Sequence, residues 1–197
     1  MSDLSEWAQV EPRALARHVR PQDIPAEFSL PPYINRLDLL QAAGPQGLAG
    51  ELYQRIARLG LNYDRAPISS HSGAVQRVRT PALILKEGRG TCLDLAVAFA
   101  TACLANDLLS FIVILEGHAL AGLSVTRTRL QPGRPPAALA WDRGLLSDLE
   151  VARSWTGSEA LWVECTGLAR STSLDTQLPE ERGREVAGTQ SFERACA

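Results

Sequence analysis

The sequence lacks several features that would point to common classes of function. It has no apolar run as long as a membrane span, and residues 1–10 lack the basic start and apolar stretch of a secretory signal. Its formal net charge of -2, from 20 basic and 22 acidic residues, does not predict a nucleic-acid or membrane surface. We therefore expect a cytoplasmic protein with neither nucleic acid nor membrane as a partner.

Motifs for metals and phosphates are also missing. The four cysteines at positions 92, 103, 165 and 196 form no CxxC pair, and the three histidines are scattered. This spacing fits neither a zinc site nor a disulfide framework. The stretch Gly88-Arg89-Gly90 is too short for a phosphate-binding loop, and no Lys-Ser or Lys-Thr pair follows it. The sequence therefore predicts free thiols, no metal and no cofactor.

The composition is that of an ordinary globular protein. The chain has 197 residues, of which 45% are hydrophobic, and this suits one domain with a sizeable core. Prolines punctuate residues 1–45, which we interpret as a partly helical N-terminal extension with a short helix around 6–19. Residues 46–197 are predicted to form the main domain, ending in a flexible polar tail over 171–190.

The pattern of apolar residues predicts an α+β fold. Helical spacing marks residues 48–60, and the stretch 92–105 is apolar almost all round, as in a buried central helix. Runs rich in β-branched residues predict strands over 111–115, 118–125 and 161–165. A further helix is predicted over 145–154.

Three residues in this pattern suit nucleophilic catalysis. Cys92 lies at the start of the central helix, where unpaired N–H groups and the helix dipole favour a thiolate. His118 opens a strand and is a candidate general base. Glu164, on a later strand, can orient the imidazole from its far side. The backbone N–H of Cys92 is a natural oxyanion donor.

Several segments resemble bacterial transglutaminase-like domains of the papain-like cysteine-protease superfamily. They are Leu59-Gly60-Leu61-Asn62-Tyr63, Gln76-Arg77-Val78-Arg79-Thr80-Pro81, Gly90-Thr91-Cys92-Leu93-Asp94-Leu95, Glu116-Gly117-His118-Ala119 and Trp162-Val163-Glu164-Cys165-Thr166-Gly167. The resemblance implies a central helix packed on a small antiparallel sheet, with Cys92 as nucleophile, His118 as base and Glu164 as the third member. The best-known members of the family carry aspartate where this chain has Glu164.

The resemblance also suggests residues around the triad. Gln76 is a candidate oxyanion donor, because a glutamine upstream of the cysteine has this role in papain-like enzymes. Arg79 either binds an acidic substrate or forms salt bridges with Glu87, Asp94 and similar groups. Trp162 either lines a substrate groove or belongs to the core. Asp94 is expected to cap the central helix.

These observations lead to two classes of function. The first is a thiol-dependent enzyme that transfers the acyl group of an amide in a protein or peptide, with protease or deamidase activity favoured over cross-linking. The alternative is a catalytically silent binding or adaptor module that acts with a partner domain or subunit in a larger bacterial assembly. The reactivity of Cys92 discriminates between the two.

Overall fold

The computed structural model describes residues 4–8, 12–64, 75–115, 117–128 and 160–170, together with Cys196. Within these residues helices mix with small sheets, so the predicted α+β class is confirmed. No helix in these ranges is long and apolar enough to cross a bilayer. The helix predicted over 145–154 and the tail predicted over 171–190 lie outside the described residues.

Helices and strands alternate along the described part of the chain. The strands there are β1 (Leu4–Ala8), β2 (Leu61–Tyr63), β3 (Val75–Arg79), β4 (Arg89–Gly90), β5 (Leu108–Leu115), β6 (His118–Thr128), β7 (Ala160–Val163) and β8 (Ala169–Arg170). The helices are α1 (Arg36–Ala57), α2 (Pro81–Glu87) and α3 (Cys92–Ala105), with short 3-10 helices at Pro12–His18, Pro21–Asp23, Ala26–Phe28 and Cys165–Leu168. The predicted central helix and the strands predicted over 111–115 and 118–125 are therefore confirmed.

The described strands assemble into three small sheets. Strands β5, β6 and β7 form an antiparallel sheet in chain order, and β1 pairs with β3 in a second antiparallel sheet. The third sheet is parallel and has the order β4-β2-β8. Strand β2 therefore lies between the strand that leads into α3 and the strand that follows the last 3-10 helix.

Helix α3 lies at the centre of the hydrophobic core. All its residues from Leu93 to Cys103 are buried. One side of the helix packs on β5 and β6. Another side packs on α1, where the rings of Tyr53 and Phe99 meet edge to face with centroids 5.8 Å apart. This packing explains why the sequence of α3 is apolar almost all round.

The N-terminal residues share this core. Phe28 is fully buried and Leu15 nearly so. Helix α1 crosses the predicted boundary between residues 45 and 46, with a kink at Gly44, whose φ is 66°. Gly44 leaves the helical conformation because the ring of Pro45 disfavours it in the preceding residue. The predicted boundary thus falls at a kink inside one element.

The helix predicted around 6–19 is wrong. Residues Leu4–Ala8 form a strand that pairs with β3, and a 3-10 helix follows at Pro12–His18. Pro12 has no N–H to donate within an α-helix. A short isolated helix is marginal in water, whereas pairing with β3 supplies partners for the backbone. Tertiary pairing has therefore overridden the local pattern.

Candidate functional site

The candidate nucleophile lies at the first position of α3. The hydroxyl of Thr91 accepts a hydrogen bond from the backbone N–H of Asp94 at 3.2 Å, and the N–H of Thr91 donates to Asp94 Oδ2 at 3.0 Å. This capping box fixes the turn that leads into the helix. Cys92 is half-buried there, and the positive end of the helix dipole favours negative charge on its sulfur.

A buried ion pair lies behind the nucleophile. Asp94 is fully buried, and its carboxylate accepts hydrogen bonds from Arg79 Nη1 at 2.7 Å and from the Arg79 backbone N–H at 2.8 Å. Asp64 and Glu87 accept from the other guanidinium nitrogens at 2.8 and 3.0 Å. Of the two roles that the sequence left open for Arg79, the salt bridges are observed. The guanidinium therefore holds the start of α3 rather than facing a substrate.

His118 and Glu164 are in direct contact. His118 is the first residue of β6, and its Nε2 lies 2.6 Å from Glu164 Oε2. Each of the two side chains is 31% exposed, so the pair is open to solvent on one side. The extra methylene of glutamate, compared with aspartate, does not prevent the carboxylate from reaching the ring. The structure thus brings together two of the three predicted triad members.

Glu164 is held on both sides of its contact with His118. The strand predicted over 161–165 ends at Val163, so Glu164 is not a strand residue but the N-cap of the 3-10 helix Cys165–Leu168. Its Oε1 accepts hydrogen bonds from the N–H and the hydroxyl of Thr166 at 2.9 and 2.8 Å. Its backbone carbonyl accepts one from the Tyr53 hydroxyl at 3.3 Å. These contacts fix the carboxylate that orients His118.

This contact decides which imidazole nitrogen is available for proton transfer. An ionised carboxylate only accepts hydrogen bonds, so the His118 ring donates to it through the Nε2 proton. In the neutral ring Nδ1 then carries a lone pair and can accept a proton. The tautomer that Glu164 selects is therefore the one in which His118 can act as a base through Nδ1.

Tyr63 is a residue of the site that the sequence did not assign. It ends β2, beside β4, and its Cα pairs with that of Gly90. The phenol is within hydrogen-bonding range of both the side chain and the backbone of Cys92. Burial, followed by the neighbouring Cys92 side chain and the Glu164 carboxylate, raises the pKa of Tyr63 to about 12. Tyr63 therefore connects the nucleophile with the His118–Glu164 pair.

The parallel sheet explains why these residues meet. Backbone N–H groups of Asn62 and Asp64 donate to Gly88 and Gly90 at 2.8 and 2.9 Å, which ties β2 to the segment before Cys92. On its other edge β2 pairs with β8, which directly follows the 3-10 helix that Glu164 caps. No periodicity in the sequence indicates this long-range pairing. The only sequence signal for Tyr63 was its place in one of the segments that resemble the family.

Other predicted partners of the nucleophile are not in contact with it. Within the described residues, no hydrogen bond joins Cys92 to His118 or to Gln76. Gln76 is half-buried on β3 and pairs with Trp7, and Trp162 is half-buried on β7 opposite Gly122. Catalytic hydrogen bonds are often long in unliganded sites and shorten when substrate binds.

Comparison with known proteins gives no relative. The chain matches no protein-family model, no curated protein and no solved structure at a significant level. Over the ranges that the structure describes, no cluster of three or more His, Cys, Asp or Glu residues could hold a metal ion. The argument for function therefore depends on the geometry of the site.

The four cysteines are expected to differ in reactivity. Burial raises the pKa of the Cys103 and Cys165 thiols, and both residues are fully covered. We expect iodoacetamide at pH 7 to modify Cys92 and Cys196, which are half-buried, and to spare the other two. Peptide mapping after a timed reaction measures this, and all four cysteines should react in urea. Modification of Cys103 in the native protein would contradict the burial described here.

Proposed function

We propose that this chain is a thiol-dependent acyl-transfer enzyme that acts on amide bonds of a protein or peptide, in a transglutaminase-like domain of papain-like type. The observation that carries this proposal is the 2.6 Å contact between His118 Nε2 and Glu164 Oε2, two side chains 46 residues apart in the sequence. The contacts of Tyr63 with Cys92 add the thiol to the same site. The helix α3, which starts with Cys92 and packs on an antiparallel sheet, also supports the family resemblance.

The proposed reaction uses each triad member in turn. His118 Nδ1 takes the proton of the Cys92 thiol, and Glu164 stabilises the resulting imidazolium. The thiolate attacks the amide carbon, and the C–N bond breaks as His118 gives its proton to the departing amine. Water, deprotonated by the same imidazole, then cleaves the thioester and restores the free thiol. Hydrolysis is proposed over transamidation because water always has access to a site whose side chains are partly exposed.

The proposal is tested with denatured casein as an unselective protein substrate and monodansylcadaverine as an amine acceptor. Mass spectrometry of the products distinguishes backbone cleavage, deamidation of glutamine and incorporation of the amine. We expect cleavage or deamidation, and little incorporation.

The matched control is Cys92→Ala, which removes only the sulfur and places a good helix former at the first position of α3. Casein products that form equally with this variant would show that Cys92 is not the nucleophile. Dominant incorporation of monodansylcadaverine would keep the thiol chemistry but make the chain a transamidase.

A further inference from the structure

We propose that Tyr63 is a further catalytic residue, whose hydroxyl joins the Cys92 backbone N–H in stabilising the oxyanion formed on the substrate. This role rests on the proposed function, because an oxyanion forms only if Cys92 attacks a carbonyl. It replaces the sequence-based expectation that Gln76 supplies the second donor.

The backbone places the Tyr63 side chain beside the nucleophile. Residues two apart on a strand share a face, so Tyr63 projects from the same side of β2 as Leu61, which is buried in the core. Asn62, on the other face, is exposed. Pairing of Tyr63 with Gly90 sets this side chain only two residues from Cys92 across the parallel strands. The position is therefore fixed by core packing and by main-chain hydrogen bonds.

The contacts of the phenol define where an oxyanion would lie. The hydroxyl is in hydrogen-bonding range of the Cys92 side chain and of the Cys92 backbone N–H. In a tetrahedral intermediate the substrate oxygen is two bonds from the attacking sulfur and points at the N–H donors of the site. A hydroxyl that reaches both the sulfur and this N–H lies at that position, and Gln76 has no such contact.

Tyr63 acts by hydrogen bonding and does not transfer its proton. As the thiolate attacks, the new C–S bond forms and the carbonyl π pair moves to oxygen. The Tyr63 O–H then donates to this oxygen, and collapse returns the pair to the carbonyl while the leaving group departs. Burial, with the adjacent Cys92 side chain and Glu164, raises the pKa of Tyr63 to about 12, so the phenol keeps its proton between pH 6 and 9.

The test compares two reactions of Cys92 in wild type and Tyr63→Phe. Acylation by p-nitrophenyl acetate passes through an oxyanion and is measured by the burst of p-nitrophenolate. Alkylation by iodoacetamide is a displacement at a saturated carbon and forms no oxyanion. We expect Tyr63→Phe to slow acylation by about tenfold to a hundredfold, at a constant ratio from pH 6 to 9, and to change alkylation by less than about threefold. Tyr33→Phe, at a position that is 84% exposed, is the control and should leave both rates unchanged.

Each other outcome overturns the role of Tyr63 in a distinguishable way. Equal acylation of wild type and Tyr63→Phe would show that the hydroxyl is not an oxyanion donor, with the proposed function intact. A faster alkylation in Tyr63→Phe would show that the phenol blocks the thiol. An equal slowing of both reactions would show that Tyr63 acts on the thiol itself or on the fold. A wild-type protein whose Cys92 is not acylated would remove the proposed function and the oxyanion role together.

Discussion

Replacing His118 by alanine is expected to lower the rate of amide hydrolysis by about 10⁴-fold, because the variant lacks both the base and the acid of the proposed reaction. The same change should alter the pH profile of Cys92 alkylation, since only the thiolate attacks iodoacetamide. With His118 present, the imidazole takes the thiol proton, and the rate constant should differ little between pH 6 and pH 8. Without it, the rate constant should rise by about tenfold per pH unit, as for an unassisted thiol.

The alkylation profile needs no substrate, so it can be measured before one is found. Glu164→Gln is the matched variant, because it keeps the shape of the side chain but replaces an acceptor oxygen with an amide that cannot hold the same tautomer of His118. Its hydrolysis rate should fall by about 10²- to 10⁴-fold. If His118→Ala leaves the alkylation profile unchanged, there is no ion pair, and the search for a binding partner takes precedence over substrate profiling.

The second large effect is expected on stability. Asp94→Asn should lower the free energy of unfolding by about 3 kcal/mol or more, because it removes one charge of a buried ion pair and leaves Arg79 and Thr91 donors facing an amide. Arg79 retains Asp64 and Glu87, which are partly exposed, so the loss should fall at the lower end of values for broken buried pairs. Urea unfolding measures it as a shift in midpoint at constant slope.

Asp38→Asn is the control for the buried pair. Asp38 holds the third position of α1, as Asp94 does in α3, but its side chain is exposed. Loss of its favourable interaction with the helix dipole should cost about 0.5 kcal/mol. Equal losses in the two variants would mean that only the dipole matters and that the contacts between Arg79 and Asp94 contribute nothing measurable.

Local sequence patterns predicted the elements that carry the triad. The apolar stretch that became α3 and the β-branched run that became β5 have periodicities that do not depend on distant residues. The assignment of Glu164 to His118 needed only the order of these elements and the chemistry of a cysteine, a histidine and an acid. The capping role of Asp94 was likewise predictable, because a capping box is a local motif.

The remaining features depend on long-range contacts. Strand β1 forms because β3 offers it a partner, and nothing within residues 4–8 shows this. The place of Tyr63 depends on parallel pairing of β2 with β4 and β8, and strands this short have no readable alternation. Glu164 was predicted on a strand because Trp162 and Val163 continue a strand-like pattern, whereas its carboxylate caps the next turn.

The sheet of order β4-β2-β8 sets the distance between nucleophile and acid through main-chain hydrogen bonds alone. Such bonds are the same whatever side chains the strands carry. Side chains around the site can therefore vary, and with them the choice of substrate, while the spacing on which the chemistry depends is conserved by the backbone. The reactive geometry and the specificity of this site are in that sense separate properties, specified by different atoms of the same short strands.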